Sequence, residues 1–110
     1  IIVTDEKFKI IFVNKAAEQL YGYSKKKMLG RSPDFLNAEP ASKDIQRKIY
    51  RTVRSGKTWV GRHLNRKKDK STFVCEFKIT PVKNESGEIY CYCALQRDVT
   101  DKEEMQKIIL

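Results

Sequence analysis

Few residues in this sequence carry the chemistry of a catalytic or metal site: three cysteines, Cys75, Cys91 and Cys93, and one histidine, His63. The cysteines are odd in number and form no C-x-x-C pair, so their spacing supports neither a structural zinc site nor a disulfide framework. Each lies in a run of β-branched and aromatic residues, where a free thiol behaves as a small apolar side chain. A reducing, cytoplasmic setting fits them best. No nucleophile is spaced to use His63 as a base, and neither a carboxylate pair nor a glycine-rich phosphate loop can be placed. The expected catalytic set is empty, and so is the metal set. What remains is binding, by side chains that an appropriate scaffold would turn inward.

That scaffold is legible from the alternation of side chains. Thr58–Lys67, Ser71–Lys83 and Glu88–Asp98 read as three strands separated by short polar turns, which makes them an antiparallel meander. In the second, Phe73, Cys75, Phe77 and Ile79 share one face, opposite Glu76 and Lys78. In the third, Tyr90, Tyr92, Ala94 and Gln96 share one face, and Ile89, Cys91, Cys93 and Leu95 the other. Both faces of that strand are largely apolar, so the outer side of the sheet needs cover from a second copy or a flanking helix. On the first, His63 shares a face with Trp59, Gly61 and Asn65. An inward histidine can contact a ligand or titrate as a switch; a satisfied core or rim histidine is the simpler reading.

The front of the chain supplies the rest. Ile1–Asp5 and Lys9–Asn14 are expected strands around a Glu6-Lys7 turn. Asn14 can cap a helix whose apolar side is Ala16, Ala17, Leu20 and Tyr21 and which Gly22 ends. Ser24 can cap one further turn, Lys25–Leu29, before Gly30. Arg31–Glu39 reads as loop or one irregular turn. Pro40 suits a first helical position, and Ala41–Ser55 follows as a helix with Ile45, Ile49 and Val53 on its apolar side. A capping box, Thr100-Asp101-Lys102-Glu103, opens a last helix with Met105, Ile108 and Ile109 as a narrow apolar stripe.

At 110 residues, 40% apolar and 34% charged, the sequence describes one globular domain. It contains neither a membrane-spanning run nor a signal peptide. Because it begins without methionine and stops inside a helix, we read it as a piece of a longer protein. The expected division is residues 1–100 as the domain and 101–110 as the start of a linker or coiled-coil helix. The net charge of +9 raises nucleic acid as a partner. The lysines and arginines are scattered, however, with no recognition helix or aromatic platform among them, which favours a solvated basic surface.

Several local sequences, in order, resemble PAS sensor domains. They are Val13-Asn14-Lys15-Ala16-Ala17 through Leu20-Tyr21-Gly22-Tyr23-Ser24, then Leu29-Gly30-Arg31, then Gly56-Lys57-Thr58-Trp59-Val60-Gly61 with Asn65-Arg66-Lys67-Lys68-Asp69, and finally Gln96-Arg97-Asp98-Val99-Thr100. One departure is Lys70, where the family often has a turn glycine. The resemblance implies an α+β fold: a five-stranded antiparallel sheet with short helices and one longer helix over one face, enclosing a pocket. It implies a sensory or relay module of a multidomain signalling protein, here most plausibly a cytoplasmic two-component sensor histidine kinase. The alternatives are a ligand-free dimerisation module, or the PAS domain of a cyclic-dinucleotide enzyme or transcription regulator. The fragment itself is expected to be no enzyme, since the phospho-accepting histidine of a kinase is absent.

The same resemblance suggests what the pocket holds. Its candidates are Ile45, Ile49, His63, Asn65, Cys75, Phe77, Tyr90, Tyr92, Ala94 and Gln96, with Asp98 and Thr100 relaying to the exit helix. The flavin-binding LOV group uses amides at the positions of Asn65 and Gln96, but its third amide position is Cys75 here. Its adduct-forming cysteine falls on Pro33 within Ser32-Pro33-Asp34-Phe35-Leu36-Asn37, which excludes that thiol photochemistry there. Haem is disfavoured, because Ala41–Ser55 has no histidine. Flavin or a small metabolite stays open, as does the ligand's identity. A homodimer through the outer sheet face or flanking helices is expected, with no membrane contact by this domain.

Overall fold

A computed structural model describes residues 1–102. Five strands, β1 (Ile2–Asp5), β2 (Ile10–Val13), β3 (Trp59–Arg66), β4 (Thr72–Lys83) and β5 (Ile89–Asp98), form one antiparallel sheet in the order β2-β1-β5-β4-β3. The first and last segments of the chain therefore lie side by side at its centre. β1 pairs with β5 from Ile2↔Ala94 to Asp5↔Cys91. The meander β3-β4-β5 forms the other flank, as the alternation and short turns require.

Between β2 and β3 the chain builds the cover. Helix α1 (Lys15–Tyr21) starts at Asn14, whose Oδ1 accepts the Ala17 N–H at 2.9 Å. It stops at Gly22, which at φ 80° takes the left-handed conformation that a residue without Cβ adopts freely. The short α2 (Lys25–Met28) is capped by Ser24, and a single 3-10 turn runs from Pro33 to Leu36. Helix α3 (Lys43–Arg54) packs on β3 and β4. It begins later than the sequence suggests: Ser42 Oγ accepts the Ile45 N–H, so Ser42 and not Pro40 sets its start. A hydroxyl that satisfies a free amide outweighs the proline's preset φ. Among the described residues, no helix is long and apolar enough to cross a membrane.

The core lies between the sheet's inner face and the small helices, with Ile2, Ile10, Val13, Ala17, Tyr21, Met28, Leu36, Phe73 and Cys75 buried together. On the outer face Val60, Leu64 and Leu95 stand exposed around a cross-strand ion triad. There Glu76 on β4 takes Arg62 from β3 and Arg97 from β5, each directly opposite it in register.

One local expectation is corrected by backbone geometry. Tyr90 does not continue the inward row of β5. Val82 pairs with Cys91 and Lys83 with Ile89, so Tyr90 is the extra residue of a bulge and is exposed. The Thr100 hydroxyl accepts the Val74 N–H of β4 at 2.9 Å, tying the exit segment to the sheet. Its capping-box partner Glu103, and the stripe Met105, Ile108 and Ile109, lie outside the described residues.

Candidate functional site

The register of the meander stacks the site in rows. Trp59 on β3, Ile79 on β4 and Ala94 on β5 lie abreast; Gly61, Phe77 and Gln96 form the next row; His63 and Cys75 the one after. Above the first rows lies a cavity of about 430 Å³. Ile45 and Ile49 of α3 wall it opposite the sheet, and Pro33, Leu36 and Asn37 of the 3-10 segment close another side. That segment is hung on the free edge of β3, where Ala38 N–H donates to Leu64 C=O at 2.9 Å and Asn37 bridges Asn65.

One end of the cavity is aromatic. Phe8, at the β1–β2 turn, stacks on Tyr92 with centroids 4.7 Å apart and planes at 14°, and touches Tyr50 of α3 at 4.4 Å. The Arg54 guanidinium lies over both Phe8 and Tyr50. Phe8 reaches this position from φ 61°, a left-handed backbone unusual for a bulky residue. A ring closing the cavity stands where such a turn prefers glycine or asparagine.

Polar groups occupy other points on the wall. The Trp59 indole leans over Gly61, where a Cβ would stand 2.9 Å from Nε1; only glycine leaves that room. His63 Nε2 donates to the Glu39 carbonyl at 3.1 Å and is thereby a rim histidine with a partner. Asn65 Nδ2 donates to the Tyr21 hydroxyl at 2.8 Å, and that hydroxyl donates in turn to Gln96 Oε1. Burial, with Cys75 close by, pushes the Tyr21 phenol well above its ordinary range. Burial likewise raises the Cys75 thiol.

Eight of the ten sequence-derived pocket residues line this cavity: Ile45, Ile49, His63, Asn65, Phe77, Tyr92, Ala94 and Gln96. Cys75 does not. It is fully buried beside the Tyr21 hydroxyl, 3.8 Å from its oxygen, and so belongs to the core. Tyr90 is excluded by the bulge. Sequence reasoning missed Phe8, Tyr50 and Trp59 on the wall and Tyr21 behind it. The tryptophan was within reach, since alternation already puts it on the face of Gly61, His63 and Asn65.

Among the described residues, two buried side-chain polar atoms lack a hydrogen-bond partner, Trp59 Nε1 and Asn65 Oδ1. Both belong to residues on the cavity wall. Buried polar groups are nearly always paired, so two orphans in one cavity are an unfilled requirement.

Comparison with known proteins agrees with the architecture. The family model described as PAS domain matches residues 1–101. The chain belongs to the PAS domain family. This PAS domain is 31% identical over 100 residues to the nitrogen fixation regulatory protein of Klebsiella oxytoca, covering 91% of this chain and 20% of that protein. It is 31% identical over 109 residues to a blue-light photoreceptor of Listeria monocytogenes, covering 96% and 43%. It thus spans less than half the length of either relative. Among solved structures, an RNA-binding light-oxygen-voltage receptor superposes with a TM-score of 0.87 at 30% identity, covering 94% of this chain and 30% of that one. The PAS domain of a Colwellia psychrerythraea protein gives 0.81 at 29%, covering 91% and 85%. As a PAS domain it is a sensory module, built as the α+β five-stranded fold that its sequence resembles.

Proposed function

We propose that this PAS domain is the ligand-binding sensory unit of a larger signalling protein and holds a small, largely aromatic ligand between α3 and the sheet. The observation that carries this reading is the pair of orphaned polar atoms, Trp59 Nε1 and Asn65 Oδ1, on the wall of a largely apolar cavity. A ligand that supplies an acceptor to the indole and a donor to the amide recovers the cost of leaving both unpaired.

Flavin fits this wall best. Phe8, Tyr50, Trp59 and Tyr92 offer aromatic surface, Asn65 and Gln96 offer amides, and relatives include a blue-light photoreceptor. A bound flavin would supply blue-light absorption and electron uptake. The residues that would hold it are Asn65, Gln96 and the aromatic end; Pro33 lines the cavity and, on the sequence resemblance, falls at the adduct-forming cysteine of the light-sensing members, so the reading includes no thiol adduct at that position. A haem has no histidine on α3 to hold it. Titration with riboflavin, followed by quenching of its fluorescence, tests the reading. Saturable one-to-one uptake is expected, weakened about tenfold by Asn65→Leu, the worth of one buried hydrogen bond; no uptake would remove flavin from the reading.

Output follows from how the exit is fastened. Thr100 is bonded to β4 and its N–H to Asp98 Oδ1, so movement of β4 or β5 under the ligand is passed to the segment after Asp101. The outer face with Val60, Leu64 and Leu95 is the surface we assign to a homodimer. For the parent protein we propose a cytoplasmic sensor histidine kinase, on the sequence resemblance alone. Catalysis then belongs to that parent and not to this domain.

A further inference from the structure

Tyr21 is wholly buried, and its hydroxyl is shared by the two amides that reach the cavity wall. A phenol oxygen carries one proton and so can donate once. Here it donates to Gln96 Oε1 and accepts from Asn65 Nδ2 at 2.8 Å. Gln96 Oε1 also lies 3.8 Å from the Cys75 thiol, a second weak donor that favours keeping the glutamine's oxygen on this side. The consequence falls on Asn65. Its –NH2 is committed to Tyr21, which leaves Oδ1, buried and unpartnered, as the group it offers elsewhere. Asn65 is 6% exposed, so bulk solvent barely reaches that oxygen and its partner must come from within the cavity.

We infer that Tyr21 is a positioning residue that sets the hydrogen-bonding polarity of the cavity: by holding the Asn65 amide in one orientation it makes the site select ligands that present an N–H or O–H donor to Asn65. The inference rests on the ligand-binding reading above and narrows it. Among planar heterocycles the site prefers one with a free ring N–H, such as a cyclic imide or lactam edge, over the same ring alkylated at that nitrogen. Without the phenol proton to fix the pair, the asparagine turns either face to the cavity and the preference disappears.

The test uses Tyr21→Phe, which keeps the ring that packs on Phe73 and removes only the hydroxyl. In ligand-free protein, hydrogen exchange of the Asn65 side-chain amide, read by 15N NMR, is expected to quicken about tenfold in the variant, the worth of one hydrogen bond. Unchanged exchange overturns the inference whether or not any ligand binds. The second readout is a ratio that a merely structural role would not move. Riboflavin, with its ring N3–H, should bind the wild type about tenfold tighter than N3-methylriboflavin, and within about threefold of it in Tyr21→Phe. An undiminished ratio in the variant overturns the inference. If Tyr21→Phe does not fold, Gln96→Met takes its place. The tyrosine proton then loses its acceptor and turns to Asn65 Oδ1, so the ratio should again collapse, and a retained ratio contradicts the inference. Should neither flavin bind the wild type, the flavin reading fails while amide exchange still decides the role of Tyr21.

Discussion

Gly61 lies directly beneath the indole of Trp59, close enough that a Cβ at position 61 would stand 2.9 Å from Trp59 Nε1 and 3.3 Å from Phe77 Cζ. Gly61→Ala must therefore displace the tryptophan from the cavity wall. Overpacking of this kind costs about 1–3 kcal/mol, measurable as a lower urea midpoint. Riboflavin affinity should fall with it, because the displaced indole no longer aims its N–H at the ligand. A variant with wild-type stability would contradict the geometry.

At the other end of the domain, Thr100 acts through the sheet. Thr100→Ala removes the acceptor of the Val74 N–H and should cost about 1 kcal/mol, while Thr100→Ser, which keeps the hydroxyl, should cost little. Chemical denaturation separates the two. In the full protein the alanine variant should also alter regulation of the output domain. Unchanged regulation with lowered stability would leave Thr100 a structural tie and remove it from the relay.

Two residues pay for a left-handed backbone with opposite results. Lys70, at φ 74° in the exposed β3–β4 turn, gains nothing from its side chain there. Lys70→Gly should stabilise the protein by about 1 kcal/mol and leave ligand affinity unchanged. Phe8, at φ 61°, holds the aromatic end of the cavity. Phe8→Gly relieves its backbone but loses the stack on Tyr92 and the tilted contact with Tyr50, so it should weaken riboflavin binding. Phe8→Ala loses the ring and keeps the strain, and should be the less stable of the pair by about 1 kcal/mol.

The Tyr21 phenol gives the fold a specific weakness in alkali. Burial raises its pKa above the ordinary value near 10.0, so the folded state prefers the protonated form more strongly than the unfolded chain does. The stability it contributes is intact below the ordinary value and drains away as pH rises towards the folded pKa. Tyr50 and Tyr92 are shifted the same way, also by burial. The urea midpoint should thus fall between about pH 9 and 11, and fall less steeply in Tyr21→Phe, where the remaining slope belongs to the other groups. Equal slopes would mean that the phenol is not shielded as described.

The strands and the starts of the first two helices are readable because each is encoded locally: alternation for β3 to β5, Asn14 and Ser24 as caps, glycine at the end of α1. Strand alternation also put six residues on the face that lines the cavity, since a single face of a sheet must turn towards its cover, and helical periodicity added Ile45 and Ile49. It failed at Tyr90, where a bulge inserts one residue and ends the period. It failed differently at Cys75, which does face inward but has Tyr21 packed over it from a helix more than fifty positions away in sequence. Tyr21 itself read as one apolar residue of α1. Nothing local reveals that its hydroxyl meets Asn65 and Gln96, because that meeting depends on how α1 is laid across the sheet. Pro40 misled for a simpler reason, a second helix-start signal two residues later.

The most direct test of the central claim is a native mass spectrum of the purified protein, taken together with its visible absorption and repeated on Asn65→Leu. The cavity reading predicts one bound small molecule per chain, with a flavin band near the blue, and a smaller share of protein carrying that added mass in the variant. A bare protein that also takes up no riboflavin when offered it would contradict the claim, and would leave the domain as a relay and dimerisation unit with a cavity that no ligand fills.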